Sequence, residues 1–341
     1  MLRHIDSMDM YAATADFSLV YSYVNSCTVN TTGGRFSGGC ASISGASLSG
    51  LGKAITATTE LWVGAAINPQ SITAGTNCAI AQFASATGPE LTLVTNGYVL
   101  RIMSGNNSTG TVLASFPMPT YMWGSYYHWF DIHYKYGTTT GVVELYIDNV
   151  QIFSWTGNTT GAGGSTITSV CFGCSSGGTA IRMLVDDIYI LDATTGSNTG
   201  RLGDCRIEAL APTANAGTNN GTPSAGSNYA CVNEVRYDTT SYVTLTNTTG
   251  QEELYTGASL TNSPYQIFGV RVVSVAEKMD AGPAGLIPLV VSSSTEGDAA
   301  SASTVMPYYA YQSAIFETDP HTSAAWTVSA VNSVQYGVKV A

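Results

Sequence analysis

Hydrolytic enzymes use carboxylate or serine side chains at characteristic spacings, and two places in this sequence can be compared with those patterns. Glu144 and Asp148 lie on one face of a predicted strand, but four residues of strand separate them by about 13 Å. Glycoside hydrolysis places its two carboxyl groups closer together than this. The run GCSSG at 173–177 has the letters of the GxSxG nucleophile motif, but it precedes a strand, whereas that motif joins a strand to a helix. We therefore expect that the chain is not an enzyme.

Histidines and cysteines are common metal ligands, and neither type forms a ligand set in this sequence. His128 and His133 fall on opposite faces of one predicted strand. Cys171 and Cys174 form a single CxxC pair, without the second pair or the histidines that a zinc site requires. The pattern favours buried or loop thiols, and no cofactor is expected. For a protein that ends up outside a cell, the alternative is a disulfide, Cys27–Cys40 or Cys205–Cys231.

Two groups of residues are candidates for a ligand site. The pair Asp186 and Asp187 could bind Ca²⁺ through carboxylate oxygens. A strand-end turn or bulge without metal explains the pair better, because neighbouring side chains of a strand point to opposite faces. The second group consists of aromatic residues that could form a platform for a glycan: Tyr121, Trp123, Tyr126 and Tyr127. The same rings would equally serve to fill a core or a subunit contact.

Charge and hydropathy exclude several classes of partner. The formal net charge is −11, and the 12 Lys and Arg residues are scattered along the chain. Nucleic acids and anionic membranes are bound by clustered basic residues, so neither is an expected partner. No apolar run approaches a transmembrane segment, and the first residues do not resemble a secretory signal. We expect synthesis in the host cytoplasm without a signal peptide, and no membrane insertion.

Short β-rich runs bounded by Gly, Asn, Pro, Ser or Thr are found throughout the chain. The segment 196–230 is rich in Gly, Asn and Thr and is predicted to be a connector. Strand patterns resume in 231–341, where a short helix is expected near the C-terminal end. The predicted architecture is all-β, with two antiparallel β-sandwich (jelly-roll-like) domains at 1–195 and 231–341.

The segment 126–155 has the most specific pattern. It contains two runs with period-two alternation, YYHWFDIHYKYG and GVVELYIDNVQIFSW, and Asp148-Asn149 supplies the turn of a hairpin in the second. This order resembles the laminin-G/concanavalin-like superfamily. RFSGGCASI (35–43) is similar to an early strand of that superfamily, and AIRMLVDDIYILD (180–192) is similar to its closing strand. The resemblance implies a lectin-like sandwich over 1–195.

The whole chain resembles structural proteins of tailed bacteriophages and prophages. The resemblance lies in the order of a laminin-G-like domain, a connector and a β domain that ends in ETDP…AAWT…VNSVQYGVKV. It implies a non-enzymatic virion protein displayed on the particle surface, as a head decoration or fibre or as a tail-associated module, with other virion proteins as partners and a role in adhesion. Low charge and exposed strand edges favour a homo-oligomer, a trimer or a dimer. The alternative function is that of a carbohydrate-binding, lectin-like module for host glycans.

Overall fold

A computed structural model of the chain describes residues 1–45, 49–72, 77–118, 126–175 and 181–341. They form two compact units, Met1–Ile207 and Glu208–Ala341. Almost all regular structure in both units is antiparallel β-strand, which confirms the prediction of an all-β chain. Among the described residues, no helix has the length and apolar character needed to cross a membrane.

The first unit is a sandwich of two antiparallel sheets with one helix, α1 (Thr14–Val20). Its strands are β1 (Leu2–Asp6), β2 (Tyr23–Asn25), β3 (Cys27–Asn30), β4 (Cys40–Gly45), β5 (Ser49–Thr58), β6 (Glu60–Ile72), β7 (Cys78–Ser85), β8 (Gly88–Thr95), β9 (Val99–Ser104), β10 (Thr111–Pro117), β11 (His128–Lys135), β12 (Gly141–Ile147), β13 (Val150–Gly157), β14 (Ile167–Ser175) and β15 (Ile181–Asp192). The eight-stranded sheet has the order β13-β12-β11-β6-β15-β4-β3, and β1 also pairs with β15. The seven-stranded sheet has the order β10-β9-β8-β7-β14-β5-β2.

Strand β11 shows how the sequence alternation produces the core between the two sheets. Both alternations of β11 are largely buried, and the one that faces the other sheet consists of Phe130, Ile132 and Tyr134. The ring of Tyr134 stacks on that of Phe83 from β7, with the ring centroids 5.1 Å apart. The other alternation, which includes His133, lies on the outer face of the eight-stranded sheet. There, β11 pairs with β6 on one side and β12 on the other, so side chains of these three strands adjoin one another.

The second unit contains one larger sheet, two small sheets and a short helix, α2 (Val328–Ser333). Its strands are β16 (Pro212–Asn219), β17 (Thr222–Pro223), β18 (Val243–Thr244), β19 (Glu252–Gly257), β20 (Val270–Ala276), β21 (Gly285–Ser292), β22 (Thr295–Asp298), β23 (Ser303–Thr304), β24 (Ala310–Phe316) and β25 (Gln335–Val340). The order of the six-stranded sheet is β16-β19-β25-β21-β22, with β23 paired to β21, while β17–β18 and β20–β24 are two-stranded. Helix α2 begins after Thr327, whose side chain accepts a hydrogen bond from the Ala330 N–H, and precedes the closing strand as the sequence predicts.

The segment predicted as a connector, 196–230, is divided between the two units. The N–H of Leu202 donates to the Tyr189 hydroxyl at 3.3 Å, and the N–H of Ile207 donates to Asp187 Oδ1 at 2.8 Å. This part of the segment therefore packs on the first unit. Farther along, β16 pairs with β19 within the second unit. The segment 196–230 is therefore ordered despite its many Gly, Asn and Thr residues, because its backbone groups form hydrogen bonds within each unit.

The cysteines differ in part from the sequence-based expectation. Cys27, Cys40, Cys205 and Cys231 are free thiols, so the alternative disulfides between them are not formed. Cys171 is disulfide-bonded, which corrects the prediction of a thiol at this position, and the side chain of Cys174 lies outside the described residues. Burial raises the pKa of Cys27 to about 12 and that of Cys40 to about 11, so both are held as unreactive thiols.

Candidate functional site

A depression of about 510 Å³ opens on the surface of the first unit. Its walls come from the loop between β3 and β4, from β6 and from the residues that precede β11. The lining residues are Thr32, Gly33, Gly34, Arg35, Phe36, Asn68, Tyr126 and Tyr127. The volume lies in the range of small-molecule sites, and aromatic, amide and hydroxyl groups line it together. This combination makes the depression the candidate functional site.

Two tyrosines that the sequence marked as possible ligand contacts lie in this depression. Tyr126 is 76% exposed, so its ring is free to pack against a ligand. Tyr127 is half-buried, and its hydroxyl donates a hydrogen bond to the Gly33 carbonyl at 2.6 Å. This bond ties the loop after β3 to the start of β11 and so fixes the shape of the wall. The other two candidates, Tyr121 and Trp123, lie outside the described residues.

Asn68 provides a hydrogen-bond acceptor that no described residue satisfies. The side chain is only 5% exposed, and its Oδ1 atom has no hydrogen-bond donor within the part of the chain that the structure describes. Leaving a buried carbonyl oxygen unpaired costs about 1–3 kcal/mol. Asn68 lies on the outer face of β6, where the sequence predicts an ordinary strand position, so sequence analysis did not mark it.

Arg35 forms a wall of the depression, and its charge is neutralised within the first unit. Its guanidinium lies 2.7 Å from Oδ1 of Asp204 and donates to the Cys205 carbonyl at 3.1 Å. The same group stacks over the rings of Phe36 and Trp129, at 4.7 Å and 5.4 Å from the ring centroids. Because these contacts occupy it, the guanidinium shapes the wall and presents little net charge to a ligand.

Asp186 and Asp187, the predicted calcium candidates, lie directly behind this wall. Asp186 Oδ2 accepts the Arg35 N–H at 2.7 Å, and Asp187 adopts a left-handed backbone with φ of +49°. The pairing register of β15 with β6 shifts at this point, so the pair forms a bulge. Burial, reinforced by the charge of Asp187, raises the pKa of Asp186 to about 8, and burial raises that of Asp187 to about 7. Asp186 thus holds the wall of the depression through the Arg35 N–H, whereas Asp187 accepts the N–H of Ile207.

The described residues contain no group of three or more His, Cys, Asp or Glu side chains that could hold a metal ion. At the wall, the guanidinium of Arg35 lies 3.8 Å from Asp187 Oδ2 and already supplies a positive charge there. That the pair binds no metal stays a prediction, and in this site Asp186 positions the loop after β3 through the Arg35 N–H.

Glu144 and Asp148, the remaining candidate residues for chemistry, each bind a different histidine of β11. His133 binds Glu144 through Nδ1 at 2.9 Å and Glu60 through Nε2 at 3.0 Å, and its ring stacks on Trp62. Asp148 instead binds Nδ1 of His128, at the other end of β11. Glu144 and Asp148 are therefore not brought together as an acid–base pair. The contact of His133 with Glu60 joins residues 73 positions apart, and no sequence spacing could reveal it.

No protein-family model and no curated protein sequence matches the chain. Solved structures with a similar fold include "Cellulose induced protein, Cip1", which is 17% identical, with 60% of this chain and 94% of that chain covered and a TM-score of 0.41. An endo-β-1,4-glucuronan lyase from the fungus Trichoderma reesei is 13% identical, with 56% and 95% covered and a TM-score of 0.41. Domain 4 of AbnA, an extracellular arabinanase from Geobacillus stearothermophilus in complex with arabinotriose, is 16% identical, with 49% and 76% covered and a TM-score of 0.34.

The similar structures bear on the expectation that the chain is not an enzyme. Besides the glucuronan lyase, they include the alginate lyase Aly36B, which is 10% identical to the chain, with 55% of this chain and 95% of that chain covered and a TM-score of 0.40. These similar structures are enzymes, which contradicts the expectation that the chain is not one. That expectation is withdrawn. The spacing of Glu144 and Asp148, which led to the expectation together with the GCSSG run, bears only on one particular pair of carboxylates.

Proposed function

We propose that the first unit is a carbohydrate-binding module and that the depression beside Asn68 and Tyr126 is its binding site. The observation that carries the proposal is the buried Oδ1 of Asn68, for which the described residues supply no donor, in a depression that also contains a highly exposed aromatic ring. A sugar offers hydroxyl donors and an apolar C–H face on one small, rigid ring. A hydroxyl donor would satisfy Asn68, and the C–H face would pack on Tyr126.

The charge of the walls favours a neutral saccharide. Arg35 is the basic residue among those that line the depression, and its ion pair with Asp204 is short. Asp186 and Asp187 lie behind the wall with raised pKa values, so that burial holds down their negative charge near neutral pH. A ligand therefore gains little from a net charge of either sign. It gains from hydroxyl groups that meet Asn68 and from apolar surface that meets Tyr126.

Display on a bacteriophage particle, which the sequence resemblance implies, stays a prediction. Glycan binding by the first unit would give such a particle an adhesion function. The proposed binding site does not depend on that location, because all of its residues belong to the first unit.

The test is a glycan array probed with the full chain, followed by titration calorimetry with the best ligand. Replacing Tyr126 with Ala removes the exposed ring, and we expect affinity to fall about tenfold, since aromatic packing contributes about 0.5–1.5 kcal/mol beyond buried area. Tyr98→Ala is the matched control, because Tyr98 is 70% exposed but lies outside the depression.

The two variants separate the possible results. Loss of binding in Tyr126→Ala with full binding in Tyr98→Ala supports the proposal. Equal binding by both variants places the ligand elsewhere on the chain. A folded wild-type chain that binds no glycan at millimolar concentration contradicts carbohydrate binding by the first unit.

A further inference from the structure

The two-stranded sheet β20–β24 in the second unit has open edges. The strands pair from Val270 with Phe316 to Ala276 with Ala310. All residues of Glu208–Ala341 are described, and no other strand of this unit pairs with β20 or β24. A two-stranded sheet of this kind is only marginally stable without further packing. Each outer edge presents backbone N–H and C=O groups that can accept another strand.

Strand β24 lacks the features that normally protect an edge strand from pairing. Its sequence, AYQSAIF, contains no charged residue, no proline and no glycine. Exposed edge strands in soluble proteins usually carry such residues, which oppose the addition of another chain. The strand contains the good strand formers Tyr311, Ile315 and Phe316, and a short, uncharged run without proline can pair with a copy of itself. This composition indicates that the edge of β24 is covered in the functional protein.

The outer face of the same sheet is apolar and incompletely buried. The inner face packs into the core of the second unit, where Val272 is 4% exposed. On the outer face, Val273 is 36% exposed, and Val275 and Ile315 are only half-buried. The residues of this face are Arg271, Val273, Val275, Tyr311, Ser313 and Ile315. One charge in six residues leaves a surface whose burial would be favourable.

Tyrosines extend this apolar face at its rim. The ring of Tyr237 lies 5.6 Å from that of Tyr311 and 6.0 Å from that of Tyr309. Tyr242 and Tyr308 are 46% and 50% exposed. Tyrosine is enriched at protein interfaces because it buries a large area with little loss of conformational entropy. The face and its rim therefore have the composition of an interface.

The internal core of the second unit is small, so further burial of apolar surface would stabilise the unit. Twelve hydrophobic residues of this unit are buried, and eight of them form one cluster of five and one of three: Val272, Val290, Trp326, Val331 and Val334, and Leu286, Val305 and Val340. Small cores supply limited stability, and oligomerisation is a common way in which proteins add to it.

We propose that the second unit self-associates through β24, which pairs antiparallel with β24 of a second copy of this chain. An open antiparallel edge is complementary to itself about a two-fold axis, so one strand supplies both sides of the contact. The pairing is centred on Ser313, the middle residue of β24, and extends the two strands into a four-stranded sheet. In this register, Tyr311 of each copy lies directly opposite Ile315 of the other copy on the outer face, so the contact buries part of the apolar surface of both.

The test is sedimentation velocity of the full chain with Ser313→Lys. Ser313 is exposed, so the lysine is compatible with folding of the single chain, which circular dichroism checks. In the dimer, two lysines would face each other across the axis, and like charges directly opposite each other disfavour strand pairing. We expect a wild-type dimer, with dimerisation weakened at least about tenfold by Ser313→Lys. Ser329→Lys is the matched control, since it places the same charge at an exposed position of α2.

A dimer in wild type and in Ser329→Lys, with a monomer in Ser313→Lys, supports the proposal. A wild-type chain that is monomeric across the micromolar range overturns it, as does a trimer. A folded Ser313→Lys variant that dimerises as tightly as wild type also overturns it. Glycan binding by the first unit is measured separately from these outcomes.

Discussion

A methyl group added at Gly64 should destabilise the first unit strongly. Gly64 lies on β6 opposite Tyr189 and Asp131 of the two neighbouring strands. A Cβ atom at this position would lie 2.5 Å from Cδ1 of Tyr189 and 2.7 Å from Cζ2 of Trp129. Both rings are fully buried and have no room to retreat without disturbing their neighbours. Overpacking of this kind costs about 1–3 kcal/mol.

Movement of the Tyr189 ring would also disturb a buried hydrogen bond. Its hydroxyl donates to Asp131 Oδ1 at 2.6 Å, and the side chain of Asp131 is completely buried. Weakening a bond to a buried carboxylate adds about 1–3 kcal/mol. The sum for Gly64→Ala is about 2–6 kcal/mol, and about 2–4 °C per kcal/mol gives a fall in the melting temperature of at least about 4 °C.

Differential scanning calorimetry of the full chain measures this effect. Gly200→Ala is the control, because a Cβ atom at Gly200 has no neighbouring atom within 4 Å and should leave the melting temperature unchanged. A melting temperature of Gly64→Ala within about 2 °C of wild type would refute the reasoning, since a shift that small corresponds to about 1 kcal/mol or less.

Two further predictions concern ionisation. The raised pKa values of Asp186, about 8, and Asp187, about 7, mean that these carboxyls favour folding below about pH 4 and that this contribution is lost as the pH rises through 7 to 8. The free energy of unfolding in urea should therefore fall less between about pH 5 and pH 9 in Asp187→Asn than in wild type, and identical profiles would contradict the assignment. Because burial raises the pKa values of Cys27 and Cys40 to about 12 and 11, the native thiols should resist iodoacetamide and react after unfolding. Rapid alkylation of either thiol in the native chain, measured by mass spectrometry, would contradict the burial of Cys27 and Cys40.

Alternation and turn residues made much of the first unit predictable. The period-two pattern of β11 assigns Phe130, Ile132 and Tyr134 to one face, and all three are buried. Asp148 and Asn149 form the predicted turn between β12 and β13, with φ values of +49° and +65°. These features are local, because a strand pattern or a two-residue turn depends on neighbours in sequence. Local signals of this kind also indicated the all-β class.

The candidate site was only partly predictable, because most of its contacts join distant segments. Tyr126 and Tyr127 were marked by residue type, but nothing in the sequence places them beside Asn68. The ion pair of Arg35 with Asp204 spans 169 positions and depends on how the supposed connector packs. That no described residue donates to Asn68 Oδ1 is a property of its surroundings in the folded unit, which composition and spacing do not reveal.

The most direct test of carbohydrate binding is a crystal structure of the full chain with a saccharide selected on the glycan array. We predict a sugar hydroxyl within hydrogen-bonding distance of Asn68 Oδ1, about 2.5–3.0 Å, and a sugar ring packed against Tyr126. A saccharide bound away from the depression, or one whose hydroxyls leave Asn68 Oδ1 unpaired, would contradict the account.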